Sequence, residues 1–313
     1  MVKVAEAEAE FRSARLKRPC PVCGNINPER CKQRCATPDF AVVRCRDCDV
    51  TFINEVVNDN FGFSIGPEEQ PDPVLVLKAA TDFKRLEANL SSLVTACPRR
   101  SLLDVGCGTG SFLIEAEKRG WHVAGLELSP SLAAYARRHY GFRVEEASIE
   151  TLTNFPSESF DVISLFGVIE HLAYPRRAIE ECARLLRADG TLVLQTPSED
   201  GLIRRAGHFL YSATGGGVDF QVAQLYQMHG GHSVCFSRRS MKSMLEMCGF
   251  TVIRIEQSTY GFRVLLHRFK NMKFVRRMVQ TIGTLVVFSL GQLGGSSNHM
   301  TVYARKLPGT RSV

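Results

Sequence analysis

The sequence predicts an α/β protein built on a doubly wound parallel sheet, with a small cysteine-rich unit ahead of it. Three observations carry this. Segments with strand and helix patterns alternate through residues 101–256, which calls for crossover connections and hence parallel strands. A buried strand runs into a glycine-rich turn and a helix start in Ser101-Leu-Leu-Asp-Val-Gly106-Cys-Gly108-Thr-Gly110-Ser-Phe-Leu-Ile. Six of the eleven cysteines fall before residue 49, and four of them form two knuckles. With 313 residues, 44% of them hydrophobic and 23% charged, a large core can form, which excludes fibrous and chain-wide disordered classes.

Residues 1–18 read as an N-terminal helix or tail, alternating Ala, Glu, Arg and Lys without the continuous apolar stretch of a signal peptide. The longest apolar run, 282–290, is far short of the roughly 20 residues a spanning helix needs. A cytoplasmic location, with reduced thiols, is the expectation.

The knuckles Cys20-Pro-Val-Cys23 and Cys45-Arg-Asp-Cys48 are separated by 21 residues, the pattern of a zinc ribbon over residues 19–63. Two thiolates per tight turn let Cys20, Cys23, Cys45 and Cys48 converge on a tetrahedral Zn²⁺, with short strands at 40–44 and 50–53. A closed four-thiolate set leaves no open position, so the metal's expected role is structural. Cys31 and Cys35 can each replace a ligand or be spare loop thiols; their three-residue gap fits a knuckle less well.

Residues 64–73 read as a linker, and 74–96 as a helix leading into a core that spans 74–256. The glycine turn suits a ligand that touches backbone, and two classes compete for it: dinucleotides and S-adenosylmethionine. A dinucleotide fingerprint asks for glycine at the sixth loop position, which here is Ser111. Asp104, two residues before Gly106, repels a pyrophosphate and attracts a cationic sulfonium end. The next strand, 121–126, ends at Glu127, where a carboxylate can accept two ribose hydroxyls.

Asp104, the glycines at 106, 108 and 110, and Glu127 together resemble the class I S-adenosylmethionine-dependent methyltransferases, and the resemblance runs in order through residues 101–256. It implies a Rossmann-like sheet whose last strand, 299–307, is antiparallel to the rest. It also implies an adenine contact from Ser148 or the Ile149 backbone, although an acid common in that family is Ser148 here. The stretch Ser159-Phe-Asp-Val-Ile-Ser-Leu-Phe166-Gly-Val-Ile-Glu170-His171 is similar to the family's fourth strand and its exit, which adds Phe166 to the cofactor side. A helix at 178–186, a strand at 190–195, a helix at 239–248 and a strand at 250–255 complete the core.

Methyl transfer is an in-line displacement, so the protein chiefly aligns the reactants and excludes water. His171, after the fourth strand, is the candidate base; packing or capping beneath the cofactor, orienting Glu170, is the other role open to it. His229 and His232 lie where this family builds its acceptor pocket, with Tyr211, Phe220 and Tyr226 nearby in sequence. His232 is the candidate substrate contact, and two histidines without further ligands make no second metal site. The strand exit Leu-Phe-Gly-Val lacks the Asn/Asp-Pro-Pro-aromatic signature of base-amine methyltransferases, which disfavours amine methylation of DNA or RNA.

The formal net charge is +7, yet residues 257–313 hold nine basic groups and no acidic one, so the rest of the chain is slightly acidic. Within the insertion 257–298, apolar Phe262, Leu265, Phe269, Met272, Val275, Val279 and Ile282 recur at spacings of three and four. This is a basic amphipathic helix by pattern, fit to lie peripherally on an anionic membrane through 262–290 or to close over the site as a lid. The expected reaction is O-methylation of a small-molecule or lipid-linked acceptor, such as a sugar, polysaccharide, quinone-like compound or natural product. Alternatives are a sugar C-methyltransferase, an RNA methyltransferase that uses the ribbon and the basic tail, and a non-catalytic binding module. The sequence is silent on oligomeric state.

Overall fold

The computed structural model describes residues 16–36, 41–55, 66, 69–93, 99–201, 204–205, 232–258 and 299–308. The expectations for residues 1–15, for His229, Tyr211, Phe220 and Tyr226, and for 259–298 of the amphipathic insertion lie outside them.

In chain order the strands are β1 (Cys31–Ala36), β2 (Ala41–Cys45), β3 (Thr51–Ile53), β4 (Ser101–Val105), β5 (His122–Glu127), β6 (Arg143–Glu146), β7 (Phe160–Phe166), β8 (Leu186–Pro197), β9 (Val234–Cys235), β10 (Phe250–Ser258) and β11 (His299–Lys306). The helices are α1 (Pro73–Leu93), α2 (Ser111–Glu117), α3 (Pro130–Tyr140), α4 (Pro175–Leu185) and α5 (Arg238–Met247). Seven strands form one sheet in the order β10-β11-β8-β7-β4-β5-β6. The strands β8, β7, β4, β5 and β6 are mutually parallel, while β11 is antiparallel to both β8 and β10. The fold is the Rossmann-like sheet that the sequence predicts, with its antiparallel last strand inserted next to β8.

Period-two alternation assigns the two faces of the sheet. Leu102, Val162 and Val193 pack with Phe83, Leu86 and Leu90 of α1, Phe112 and Leu113 of α2 and Ala133 and Ala136 of α3. Their chain neighbours Leu103, Ile163, Leu192 and Leu194 face the other way, against Ile179 and Cys182 of α4 and Met241, Met244 and Leu245 of α5. The central strands are therefore apolar on both sides, as a sheet covered by two helical layers requires.

Local signals place the helices. Pro130 and Pro175 occupy the first turns of α3 and α4, where a missing N–H costs nothing. Gly141 closes α3 in a left-handed conformation, and Ser237 caps α5 in a reciprocal box with Ser240.

The cysteine-rich unit forms a second sheet, β1-β2-β3-β9, in which the short strand β9 comes from the core sequence. Its buried Cys20, Val22, Val43, Val50 and Phe52 belong to the same apolar cluster as Leu103 and Ile163. One expectation is overturned: Cys31 and Cys35 are not loop thiols but lie on strand β1, with Cys31 opposite Cys45 on β2. The run Cys-Lys-Gln-Arg-Cys-Ala has no apolar alternation of the usual kind, so backbone pairing with β2 decides its conformation.

Candidate functional site

The parallel strands carry their functional side chains at the carboxyl edge, where ligands bind in open α/β sheets. Asp104, one residue from the end of β4, is 4% exposed and accepts a hydrogen bond from Ser164 Oγ at 2.7 Å. Burial pushes its carboxyl up from 3.8 to about 7, against the lowering effects of that hydrogen bond and of Lys78. A buried carboxylate with this little compensation suits a cationic ligand group.

The chain then turns at Gly106, whose φ is +71°. A Cβ there would stand 2.5 Å from Val168 Cγ2, so the turn and the exit of β7 are in direct contact. Gly108, at φ +56°, has nothing within 4 Å of the place its Cβ would occupy. That open space fits a bound group lying on the loop backbone. Gly110 follows as the left-handed cap of α2.

Glu127 ends β5 and is 9% exposed. Its Oε2 accepts from Gly108 N–H and its Oε1 from Ser129 N–H, both at 2.8 Å. Each oxygen keeps a lone pair for a further donor, and the carboxylate holds the glycine turn in place as well. Ser148 sits beyond β6, where its Oγ accepts from Glu150 N–H at 3.2 Å. The side chain of Ile149 is only 3% exposed in the core, which leaves its backbone to meet a ligand. Phe166 ends β7 and packs on Phe112 at 4.9 Å between ring centroids.

Sequence reasoning missed a polar trio beside this edge. Lys78 Nζ, from α1, donates to Asp82 Oδ2 at 2.5 Å and to Gln195 Oε1 of β8 at 2.8 Å, and lies 5.6 Å from the Phe166 ring centroid. Its charge acts on both Asp104 and Glu170. The one signal in the sequence was the i,i+4 spacing of Lys78 and Asp82, which is common on exposed helices.

Beyond the end of β7, Ile169–His171 is a 3-10 turn that brings His171 against His232. The two rings are 4.8 Å apart at 68°. His232 is 6% exposed and Glu170 3%. Burial raises the Glu170 carboxyl above the ordinary range. Ser233 ties the two segments together: its N–H donates to Glu170 O at 2.9 Å and its Oγ to Leu172 O at 2.8 Å. Its own carbonyl accepts from Ile53 N–H at 3.0 Å, which joins the cysteine-rich unit to the same spot.

The four knuckle cysteines also converge. Their sulfurs all lie within 4.8 Å of one another, with Cys20 and Cys48 3.5 Å apart and Cys23 and Cys45 3.6 Å apart. Four sulfurs at about 2.3 Å from a tetrahedral Zn²⁺ would be about 3.8 Å from each other, so the donor set and its spacing fit that ion. Hydrogen bonding to Cys45 and burial raise the Cys31 thiol, but Cys31 is outside the converging four.

Comparison with known proteins agrees with this geometry. A family model described as a methyltransferase domain matches residues 79–255, more than half of the chain. A ubiquinone biosynthesis O-methyltransferase of Hahella chejuensis is 32% identical over 125 residues, 38% of this chain and 50% of that protein. A Mycobacterium tuberculosis protein named a probable S-adenosylmethionine-dependent methyltransferase is 36% identical over 120 residues, 37% of this chain and 42% of that protein. The chain thus spans about half the length of these curated relatives or less. A solved structure described as a candidate sarcosine dimethylglycine methyltransferase from Galdieria sulphuraria aligns with a TM-score of 0.52 at 16% identity, over 79% of this chain and 92% of that one. At that identity the likeness is one of fold.

Proposed function

Because the chain belongs to the methyltransferase-domain family, matched over residues 79–255, we propose that it moves the methyl group of S-adenosylmethionine to an oxygen of a small-molecule acceptor. The observation that carries this is the buried Asp104 carboxyl beside an open glycine turn that Glu127 holds from the next strand. Likeness to O-methyltransferases of ubiquinone biosynthesis supports oxygen as the receiving atom.

S-adenosylmethionine supplies an electrophilic methyl carbon on a sulfonium. Asp104 would face the cationic methionine end, Glu127 the ribose, Ser148 and the Ile149 backbone the adenine, and Phe166 would wall the cofactor side. The acceptor oxygen would form its bond to the methyl carbon as the carbon–sulfur bond breaks, the electron pair staying on sulfur. His171 would stand where the acceptor proton leaves, and His232 would contact the acceptor from the opposing segment. Alignment and exclusion of water carry most of the rate.

The cysteine cluster holds one structural Zn²⁺ in this proposal. Metal analysis should return about one ion per chain for that site, and changing Cys45 and Cys48 to Ser should remove it. A protein whose zinc content is unchanged by both changes would overturn the assignment.

Among the described residues, no helix is long and apolar enough to cross a membrane. The basic amphipathic pattern at 262–290 supports an acceptor presented at an anionic bilayer. Flotation with anionic and neutral vesicles tests that extension, and binding indifferent to lipid charge would remove it.

Calorimetry tests the main reading. Gly108→Arg fills the open loop and Glu127→Ala removes the ribose acceptor, so each should weaken S-adenosylmethionine binding at least tenfold. Undiminished affinity in both would refute the cofactor assignment. Label transfer from radioactive S-adenosylmethionine into fractionated extract then identifies the acceptor pool, whether lipid, saccharide, small metabolite or RNA.

A further inference from the structure

We propose that Glu170, His171 and His232 form a second metal site, separate from the four cysteines, that takes one divalent first-row transition ion. In the sequence His229 and His232 had no further ligand beside them; tertiary structure instead brings the neighbours Glu170 and His171 to His232, and one ligand atom from each of Glu170, His171 and His232 lies within 4.8 Å of the others. An ion with ligand bonds of about 2.0–2.2 Å holds tetrahedral donors about 3.3–3.6 Å apart, inside that limit.

Three further features point to a cation. Glu170 is 3% exposed, and its Oε2 makes no hydrogen bond of ordinary length among the described residues, with only a looser interaction from the Thr196 side chain, which is costly for a buried carboxyl oxygen. The imidazoles meet edge to face, at 68° with centroids 4.8 Å apart, rather than stacked flat. The backbone beneath the ligands is pinned, because Ser233 donates to both Glu170 O and Leu172 O, and His171 N–H donates to Val168 O at 2.9 Å. A metal site needs such outer support to keep its ligands aimed.

The donor set selects the ion. Two imidazole nitrogens and one carboxylate oxygen suit Zn²⁺, Fe²⁺, Co²⁺ or Mn²⁺, whereas Ca²⁺ and Mg²⁺ prefer oxygen alone. Three protein ligands leave at least one position open, unlike the closed thiolate set. The segment that carries Glu170 and His171 adjoins the glycine turn, since a Cβ on Gly106 would meet Val168.

The role follows from, and rests on, the methyl-transfer reading: the ion binds and polarises the acceptor hydroxyl. That lowers its pKa, and the proton passes to solvent. The oxygen lone pair then forms the bond to the methyl carbon while the carbon–sulfur pair stays on sulfur. In this arrangement His171 and His232 are ligands, and the ion takes over the acceptor contact and the proton step otherwise placed on the two histidines.

Cobalt spectroscopy on the full, metal-stripped chain separates the sites. Co²⁺ bound by four thiolates gives intense sulfur-to-metal charge transfer in the near ultraviolet, and Co²⁺ bound by nitrogen and oxygen gives only weaker visible bands. Two equivalents should bind, one of each kind. His232→Ala and Glu170→Gln should each weaken the second class at least tenfold while the thiolate bands persist, which also shows that the ribbon remains folded. A single equivalent with thiolate bands alone, or a second class unchanged in both variants, would overturn the proposal. Calorimetry with S-adenosylmethionine on the same samples reads the underlying function independently: cobalt binding without cofactor binding would refute methyl transfer and leave the metal site standing.

Discussion

Ser237 Oγ donates to Asp49 Oδ2 at 2.8 Å, so the capping residue of α5 is held by a residue just past the second cysteine knuckle. Asp49 also accepts from Arg44 Nε at 2.7 Å and sits at φ +71°. The ribbon and the main domain thereby share polar contacts as well as the β3–β9 pairing.

Asp49→Ala should therefore destabilise the whole domain by about 2 kcal/mol, from the lost hydrogen bonds and the left-handed backbone that alanine disfavours. Asp49→Asn, which tolerates that backbone, should cost less. Denaturant melts followed by tryptophan fluorescence check this, because Trp121 lies in the main domain. An unchanged midpoint for the alanine variant would mean that the ribbon does not support the core.

Gly106→Ala forces a Cβ to 2.5 Å from Val168 Cγ2 at a positive φ. Stability should fall by about 1–3 kcal/mol, and cofactor affinity should fall with it. Adding Val168→Ala removes the clash and should restore part of the loss, leaving about 1 kcal/mol for the backbone conformation. Absence of any rescue in the double variant would refute the steric account.

The pH dependence of Asp104 has a defined sign. Its folded-state pKa is raised from 3.8 to about 7, so between those values the folded form holds a proton that the unfolded form has lost. Its contribution to stability is complete below pH 3.8 and declines as pH rises toward 7 in the cofactor-free protein. Binding of a sulfonium should strengthen over the same interval and release a proton. Calorimetry in buffers of different ionisation enthalpy reads that proton, and Asp104→Asn should abolish it.

At the opposite end of the strands, Asp161 Oδ2 accepts from Ser101 N–H and Oγ–H, both at 2.9 Å, and its Oδ1 from Arg187 at 2.9 Å. Burial raises the Asp161 carboxyl, but hydrogen bonds from Ser101 and Arg187 outweigh it and the pKa is lowered. That stabilisation is complete above the ordinary carboxylate range and is lost as pH falls through the folded value. Asp161→Ala should cost about 2–3 kcal/mol by removing the carboxylate partner of Ser101 and Arg187, although Arg187 keeps its bonds to Ser101 Oγ and Ser159 O, with S-adenosylmethionine affinity kept in the folded fraction. A selective loss of affinity would mean that this ion pair shapes the site.

The glycine turn, Asp104 and Glu127 were legible in the sequence because their spacing follows one βα repeat, and local rules govern it. The same holds for the paired knuckles, whose tight turns bring two thiols together wherever the rest of the chain goes. Element ends shifted by up to four residues, and β8 begins at Leu186, directly after α4, with a register irregularity before Thr191. Pairing with β7 and β11, rather than propensity, decides such boundaries.

By itself the sequence determined the fold class, the order of the elements and the place of the glycine turn at the carboxyl edge of the sheet, since each is written in periodicity and turn chemistry over short spans. Tertiary structure alone decided what lies far apart in the chain and meets in space: Glu170 and His171 with His232, Lys78 with Gln195, and β3 with β9. Those meetings depend on strand pairing and on which face each helix covers, and no local pattern encodes them.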